Sequence, residues 1–431
     1  MNAVSVDDAC RAAAGERASA LLPQFRQMRA LTRSLAAPLS AEDAMVQSME
    51  DASPAKWHLA HTTWFFERFV LMADARYTPF DAAWDYLFNS YYNGVGPMHA
   101  RPRRGLLSRP SLEAVLAYRA AVEAGIERLL ARNTLDMQAL DIVELGIHHE
   151  QQHQELLLTD IRHALWSNPL QPAYRQDLPL RQGQAQAMRW VGREEQVVEI
   201  GAAPWPQAAG FAYDNESPRH RALVPAHAIA TRPVSNAEFQ DFIDAGGYRT
   251  PGLWLSDGWA TVQREGWARP LYWHEDGVRE FTLGGWRERD PAAPACSLSL
   301  FEADAFARWA GARLPSEAEW EHAAAGKEIA GNFVEQGALH PQAGDAAATG
   351  CAQLFGDVWE WTGSAYLPYP GFKPWPGTLG EYNGKFMNAQ WVLRGGSCAT
   401  PQQHVRASYR NFFPSSARWQ FAGVRLAKDL P

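Results

Sequence analysis

The spacing of apolar residues in this 431-residue chain changes near residue 180, and one layer type cannot serve both halves. Up to that point the apolar residues recur at helical intervals. Leu21, Phe25, Met28, Leu31 and Leu35 mark one face of a predicted helix over residues 18–35. Ser53-Pro54 reads as a capping residue before a proline at the first helical position, and Trp57, His61, Trp64, Phe65 and Arg68 then share a face. Residues 111–130 carry Leu112, Val115, Val122, Ile126 and Leu129 on a stripe that Arg119 interrupts. Residues 136–165 form a fourth predicted helix. Four helices with inward polar side chains suit a bundle that holds a metal in its core.

Pro, Gln and Arg accumulate over residues 169–186, which marks a boundary, and the expected domains are 1–180 and 181–431. Beyond it, short strands and turns alternate with Gly, Pro and Trp. Trp254, Trp259, Trp267, Trp273 and Trp286, from a total of 18 Trp, point to a loop-rich domain knitted together by aromatics. Only two or three helices are expected there. Their starts are Ser235-x-x-Glu238, Ser299-x-x-Glu302 and Ser316-x-x-Glu319, each a capping box in which Ser and Glu satisfy free backbone amides reciprocally.

Composition excludes several classes. Net charge is -8, and the densest basic stretch, Arg101-Pro102-Arg103-Arg104 with Arg109, is too short for a nucleic-acid footprint. The 4 Cys are scattered with no CxxC pair, which argues against a zinc ribbon or a disulfide framework and for a reducing cytoplasm. The N-terminus has no apolar core of signal-peptide length, and no apolar run approaches the roughly 20 residues that span a bilayer. No nucleic-acid or membrane partner is expected, and oligomeric state is not readable.

The fourth predicted helix carries His149-Glu150-Gln151-Gln152-His153. Its two histidines, four residues apart, stack on one face and can share one ion. The string matches H-E-x-x-H, a zinc-hydrolase signature in which the Glu activates water, but five residues arise often by chance. His61 on the second helix offers another inward imidazole, whereas His58 is rotated away. Three such histidines would make a facial N3 site with open positions, and imidazole does not select among Zn, Fe, Cu and Ni. The plainer reading of His61 is a core histidine bonded to a carbonyl.

Longer motifs surround these residues. They are Ser53-Pro54-Ala55-Lys56-Trp57-His58-Leu59-Ala60-His61, Phe88-Asn89-Ser90-Tyr91-Tyr92-Asn93-Gly94-Val95-Gly96-Pro97, Val358-Trp359-Glu360-Trp361-Thr362, Leu393-Arg394-Gly395-Gly396-Ser397-Cys398 and Tyr409-Arg410-Asn411-Phe412-Phe413, with residues 380–387 between the third and the fourth. On these the chain resembles the sulfoxide synthases of ergothioneine biosynthesis, over nearly its whole length. The resemblance implies an α+β architecture: an N-terminal DinB-like four-helix bundle and a C-terminal formylglycine-generating-enzyme-like domain of C-type-lectin type that contributes the substrate pocket. It implies an enzyme with Fe(2+) held by His61, His149 and His153. The implied reaction joins a thiol sulfur to C2 of the imidazole of hercynine (trimethyl-histidine), uses O2 and leaves a sulfoxide. Three neutral ligands leave three positions for two organic reactants and oxygen, so binding becomes proximity catalysis.

Further roles follow from the resemblance residue by residue. Gln152 matches an amide that bonds the substrate imidazole. Asn411 and Phe412 match a pair that cradles the hercynine carboxylate and trimethylammonium, and a quaternary ammonium favours an aromatic face. Tyr91 and Tyr92 match active-site tyrosines that supply a proton; the choice between them stays open. Arg101 and Arg104 match two arginines that hold the thiol substrate's carboxylate. Phe413 stands where the γ-glutamylcysteine branch carries an Asp, which favours L-cysteine. Ser297-Leu298-Ser299 departs from the family's usual His-x-Ser. The competing readings are a selenoneine synthase using a selenium donor, an HExxH zinc hydrolase with Glu150 as base, a non-enzymatic ligand-binding module, and an ovothiol-type synthase. The last would need a methyltransferase domain whose glycine-rich signature the chain lacks.

Overall fold

The computed structural model describes residues 6–431 apart from 180, 209, 346–349 and 382. The chain folds into two compact units: Met1–Ser167 with Gly377–Leu379, and Asn168–Pro376 with Gly380–Pro431. Among the described residues no helix is long and apolar enough to cross a membrane.

The first unit is built on α1 (Val6–Ala36), α2 (Ala55–Phe69), α4 (Leu112–Ala131) and α5 (Met137–Ser167), with a short α3 (Trp84–Phe88) between α2 and α4. The first helix starts twelve residues before the predicted face because Ala, Arg and Glu carry it through without an apolar stripe. Ser111 caps α4, accepting from the Ala114 amide at 3.2 Å. Ser53 does not cap α2. Pro54 is the N-cap, and its carbonyl accepts from the Trp57 and His58 amides. The Ser53 hydroxyl is taken by Arg104 at 2.9 Å, and its amide donates to Asp160 at 2.8 Å.

Arg119, which broke the α4 stripe, is buried by design of its partners. It meets Glu150 of α5 at 2.8 Å and donates to the Leu59 carbonyl of α2 at 3.0 Å. Glu150 also accepts from Arg29 of α1 at 2.8 Å and from Thr32 at 2.7 Å. One carboxylate therefore ties α1, α4 and α5, and through Arg119 reaches α2. Gly146 lets α2 and α5 approach closely: a Cβ there would stand 2.5 Å from the Phe66 ring.

The second unit opens with β1 (Trp190–Arg193), β2 (Gln196–Ile200), β3 (His220–Val224) and β4 (His227–Ala230). Next come α6 (Asn236–Asp244), α7 (Ser256–Glu265), β5 (Arg279–Thr282), β6 (Gly285–Glu288), α8 (Leu300–Trp309) and α9 (Glu317–Ala324). It closes with β7 (Trp359–Ala365), β8 (Trp391–Arg394), β9 (Asn411–Phe413), β10 (Ala422–Gly423) and β11 (Ala427–Asp429). These strands form a sheet ordered β1-β4-β11, a sheet ordered β10-β7-β8-β9, and the two-stranded ribbons β2-β3 and β5-β6. All three predicted capping boxes are present, at the starts of α6, α8 and α9. The additional helix α7 has Leu255 at its N-cap and no side-chain cap, so it carried no start signal. Ile229, Trp320, Phe333, Leu354, Phe355 and Val405 form a core cluster.

The C-terminal motifs are spent largely on this framework. Glu360 of β7 accepts from Trp320 at 2.6 Å and from Arg425 at 2.7 Å, all fully buried. Arg394 of β8 meets Glu317 and Glu321 at 3.0 Å each. Gly395 has φ 100°, and a Cβ there would collide with the Leu354 carbonyl at 2.4 Å. Of the motif at residues 380–387, Tyr382 lies outside the described residues.

Candidate metal centre

Helix α2 supplies His61, and α5 supplies His149 and His153. Their ligand nitrogens lie within 4.8 Å of one another, and all three side chains are buried. The Nε2 atoms of His61 and His149 face each other at 3.2 Å. Two nitrogens each about 2.1 Å from one ion, at right angles, stand roughly 3 Å apart, so the spacing fits adjacent ligands on a common metal. Burial pushes the His149 imidazole down to about 4 and holds His61 and His153 well below the ordinary histidine range. All three are thus neutral, which is the form that binds a metal.

The shell around them explains their aim. His61 Nδ1 donates to the Phe88 carbonyl at 2.6 Å, which fixes the tautomer and leaves Nε2 for the ion. Phe88 is the last residue of α3, where carbonyls lack intrahelical partners. Trp64 of α2 anchors that short helix by donating to Asp85 at 2.7 Å. His61 is therefore both the carbonyl-bonded core histidine and a candidate ligand; the two readings are compatible. Its ring stacks between Trp57 at 4.5 Å and Trp64 at 5.6 Å. Arg104 covers the Trp57 ring at 3.4 Å.

His58 lies outside the three-histidine cluster, as its helical rotation predicts, but it packs directly behind one member of it. It is buried, its Nδ1 lies 2.8 Å from His153 Nδ1, and its Nε2 lies 3.1 Å from Asp160. The signals for it were the His58-x-x-His61 spacing and Asp160 seven residues past His153, on the same side of α5.

The reading of Glu150 needs correction. Burial alone would raise its carboxyl, but Arg119 and Arg29 hold it at about 2, and both oxygens are occupied by these cations and Thr32. A carboxylate so committed cannot serve as a water-activating base, so the H-E-x-x-H string does not make a hydrolase here.

Other predicted site residues fall in two places. Tyr91, Tyr92, Arg101, Arg104 and Gln152 belong to the first unit, and Asn411, Phe412 and Phe413 form β9 in the second. Tyr92 is buried among Trp64, Phe65 and Phe69. Tyr91 is half-buried in the left-handed region at φ 68°, a costly conformation for a bulky residue. Its loop is pinned by Asn89, which donates to the Tyr92 and Gly96 carbonyls at 3.2 Å each. Arg104 is buried, donates to Ser53 and Ser90 and bonds the Tyr91 phenol; burial pushes its guanidinium down to about 10. Arg101 is more exposed and donates to the Asp51 carbonyl. Gln152 is half-buried beside His153. Phe412 stacks on Tyr366 at 4.2 Å, Asn411 accepts from the Phe412 amide, and Phe413 meets Trp419 edge-on at 5.7 Å.

Residues 24–157 match the DinB superfamily, and residues 185–353 and 341–430 match the sulfatase-modifying factor enzyme 1-like domain. The hercynine oxygenase of Mycolicibacterium thermoresistibile is 34% identical over 422 residues, covering 90% of this chain and 91% of that protein. That of Mycolicibacterium smegmatis is 37% identical over 318 residues, 66% of this chain and 71% of that protein. The formylglycine-generating enzyme of Mycobacterium tuberculosis is 28% identical over 232 residues, 42% of this chain and 77% of that protein. A DinB bundle with a three-histidine metal site, a formylglycine-generating-enzyme-like second unit and these relatives lead to one assignment: the chain is an oxidoreductase that belongs to the hercynine oxygenase family.

Proposed function

We propose that the protein joins C2 of the hercynine imidazole to the sulfur of L-cysteine, with Fe(2+) as its metal and O2 as oxidant, and releases hercynylcysteine sulfoxide. The observation that carries this reading is the convergence of three buried neutral imidazoles in a chain similar to a hercynine oxygenase over nine-tenths of its length. A redox-active ion there would activate O2 and gather both reactants. The reaction balances: the imidazole C–H and the thiol S–H break, a C–S bond forms, and one oxygen atom ends on sulfur. The other oxygen leaves as water with the two hydrogens.

The chain's own residues bind, orient and move protons. Gln152, next to His153, offers an amide to the substrate imidazole. The β9 residues Asn411 and Phe412 are proposed contacts for the hercynine carboxylate and trimethylammonium, and an aromatic face suits the latter. Arg104, flanked by the Ser53 and Ser90 hydroxyls, suits the cysteine carboxylate, with Arg101 nearby in sequence at the same turn. Phe413 offers no carboxylate to a γ-glutamyl amine. Of the two tyrosines we favour Tyr91 as the proton donor. Arg104 donates into its phenol oxygen, so the phenol keeps its own O–H to give, and its strained backbone supports a functional role.

The test is an anaerobic incubation of Fe(II)-loaded protein with hercynine and one of cysteine, γ-glutamylcysteine or a selenosugar, followed by admission of O2 and mass analysis. The sulfoxide should appear with cysteine. Cystine or cysteine sulfinate alone would overturn the reading.

A further inference from the structure

The three candidate ligands are not supported alike. His61 leans on a neutral backbone carbonyl, Phe88. His149 Nδ1 is buried with no hydrogen-bond partner among the described residues. His153 alone is backed by an ionisable chain: His153 Nδ1 to His58 Nδ1 at 2.8 Å, then His58 Nε2 to Asp160 Oδ2 at 3.1 Å. With both imidazoles neutral and Asp160 ionised, one proton arrangement satisfies both bonds. Asp160 accepts from His58 Nε2–H, His58 Nδ1 accepts from His153 Nδ1–H, and His153 keeps the Nε2 lone pair as its free donor. The same Asp160 oxygen accepts from the Ser53 amide at 2.8 Å, which fixes the carboxylate at the entry to α2.

We propose that His58 and Asp160 are positioning residues that orient His153 and pass carboxylate charge to it, making His153 the strongest donor of the three ligands. The proposal rests on the metal-centre reading above. A purely structural account of the pair is weaker. Two polar groups buried at an α2–α5 contact cost desolvation, and apolar residues of similar volume would pack the contact as well or better. The two helices are already joined through Arg119 and Glu150. A carboxylate behind a metal-bound imidazole, by contrast, fixes ring orientation and raises ligand basicity. Here that carboxylate acts through a second imidazole, so its charge is set back from the ion. That placement favours the higher oxidation state of a bound metal without adding an anionic ligand to the open face.

The experiment measures Fe(II) affinity by chelator competition and the Fe(III)/Fe(II) midpoint potential, in the full chain. Asp160→Asn keeps the shape and removes the charge. It should weaken Fe(II) binding by roughly 10- to 100-fold and raise the potential. His58→Phe should weaken binding at least as much. His58→Gln restores an acceptor for His153 but cannot relay charge, so it should regain affinity while the potential stays raised. Glu67→Gln, which removes the buried carboxylate bonded by Tyr77 and Tyr118, is the control for general loosening: it should lower the melting temperature and leave Fe(II) affinity unchanged. Wild-type affinity and potential in Asp160→Asn and His58→Phe would overturn the relay. So would an equal loss of affinity in Glu67→Gln. Failure of the wild-type protein to bind stoichiometric Fe(II) would instead overturn the metal-centre reading.

Discussion

Glu150 and His149 are neighbours in sequence and opposites in chemistry. A helix turns about 100° per residue, so the imidazole faces the ligand cluster while the carboxylate faces Arg29 and Arg119. The fold holds this carboxyl at about 2, below its ordinary 4.5. The sign follows: its contribution is present above about pH 4.5 and is lost as pH falls toward 2. Glu150→Gln should destabilise the bundle by about 3–5 kcal/mol at neutral pH, because two buried cations lose their partner. It should also flatten the acid limb of the stability curve; urea midpoints at pH 7, 5, 4 and 3 check both effects. At the neighbouring loop, Tyr91→Phe should cut sulfoxide formation by about 10²-fold or more, with flux diverted to sulfinate, as loss of a positioned acid does. Tyr92→Phe should change the melting temperature more than the product ratio, since its ring packs among Trp64, Phe65 and Phe69. Product ratios by mass spectrometry separate the two.

Helices α2 and α5 carry every candidate ligand, and their approach depends on Gly146. A methyl there would meet the Phe66 ring at 2.5 Å and the Phe65 ring at 3.0 Å. Gly146→Ala should gain intrinsic helix propensity yet lose about 1–3 kcal/mol to overpacking. Because Phe65 also touches His149 at 4.9 Å, Fe(II) affinity should fall with it. Thermal melts and chelator competition measure the two losses. At this scale much was legible beforehand. The face of α5 follows from helical spacing, and the starts of α6, α8 and α9 follow from Ser and Glu three residues apart. What escaped was non-local. His58 finds Asp160 across 102 positions, and Arg119 looked like a flaw in its stripe until Glu150 appeared opposite it. Helix α7 starts without a side-chain cap, so no local chemistry announced it. Ser53 had a cap's residue type, but Arg104 claimed its hydroxyl.

For the whole molecule, the division of labour between motifs is uneven. The N-terminal motifs place candidate ligands and their supports, whereas Glu360, Arg394 and Gly395 in the C-terminal motifs hold strands and turns in register. Arg394→Ala should therefore unfold or aggregate the protein, leaving the Glu317 and Glu321 carboxylates without their shared cation. The expected loss is about 3–5 kcal/mol, read by urea denaturation. The bundle's own cross-braces have a different consequence. Arg29, Arg119, Thr32 and Glu150 lock the histidine-bearing helix to its neighbours through bonds in which no metal takes part. Unlike a zinc finger, which collapses when stripped, such a frame is complete before loading. Chelated protein should then still melt cooperatively as a folded protein, at a temperature lowered only by the lost metal-binding free energy, while only the Fe(II)-replete form turns over. A shortage of the bound metal would thus leave folded, silent protein, and restoring the metal would switch it on without new synthesis.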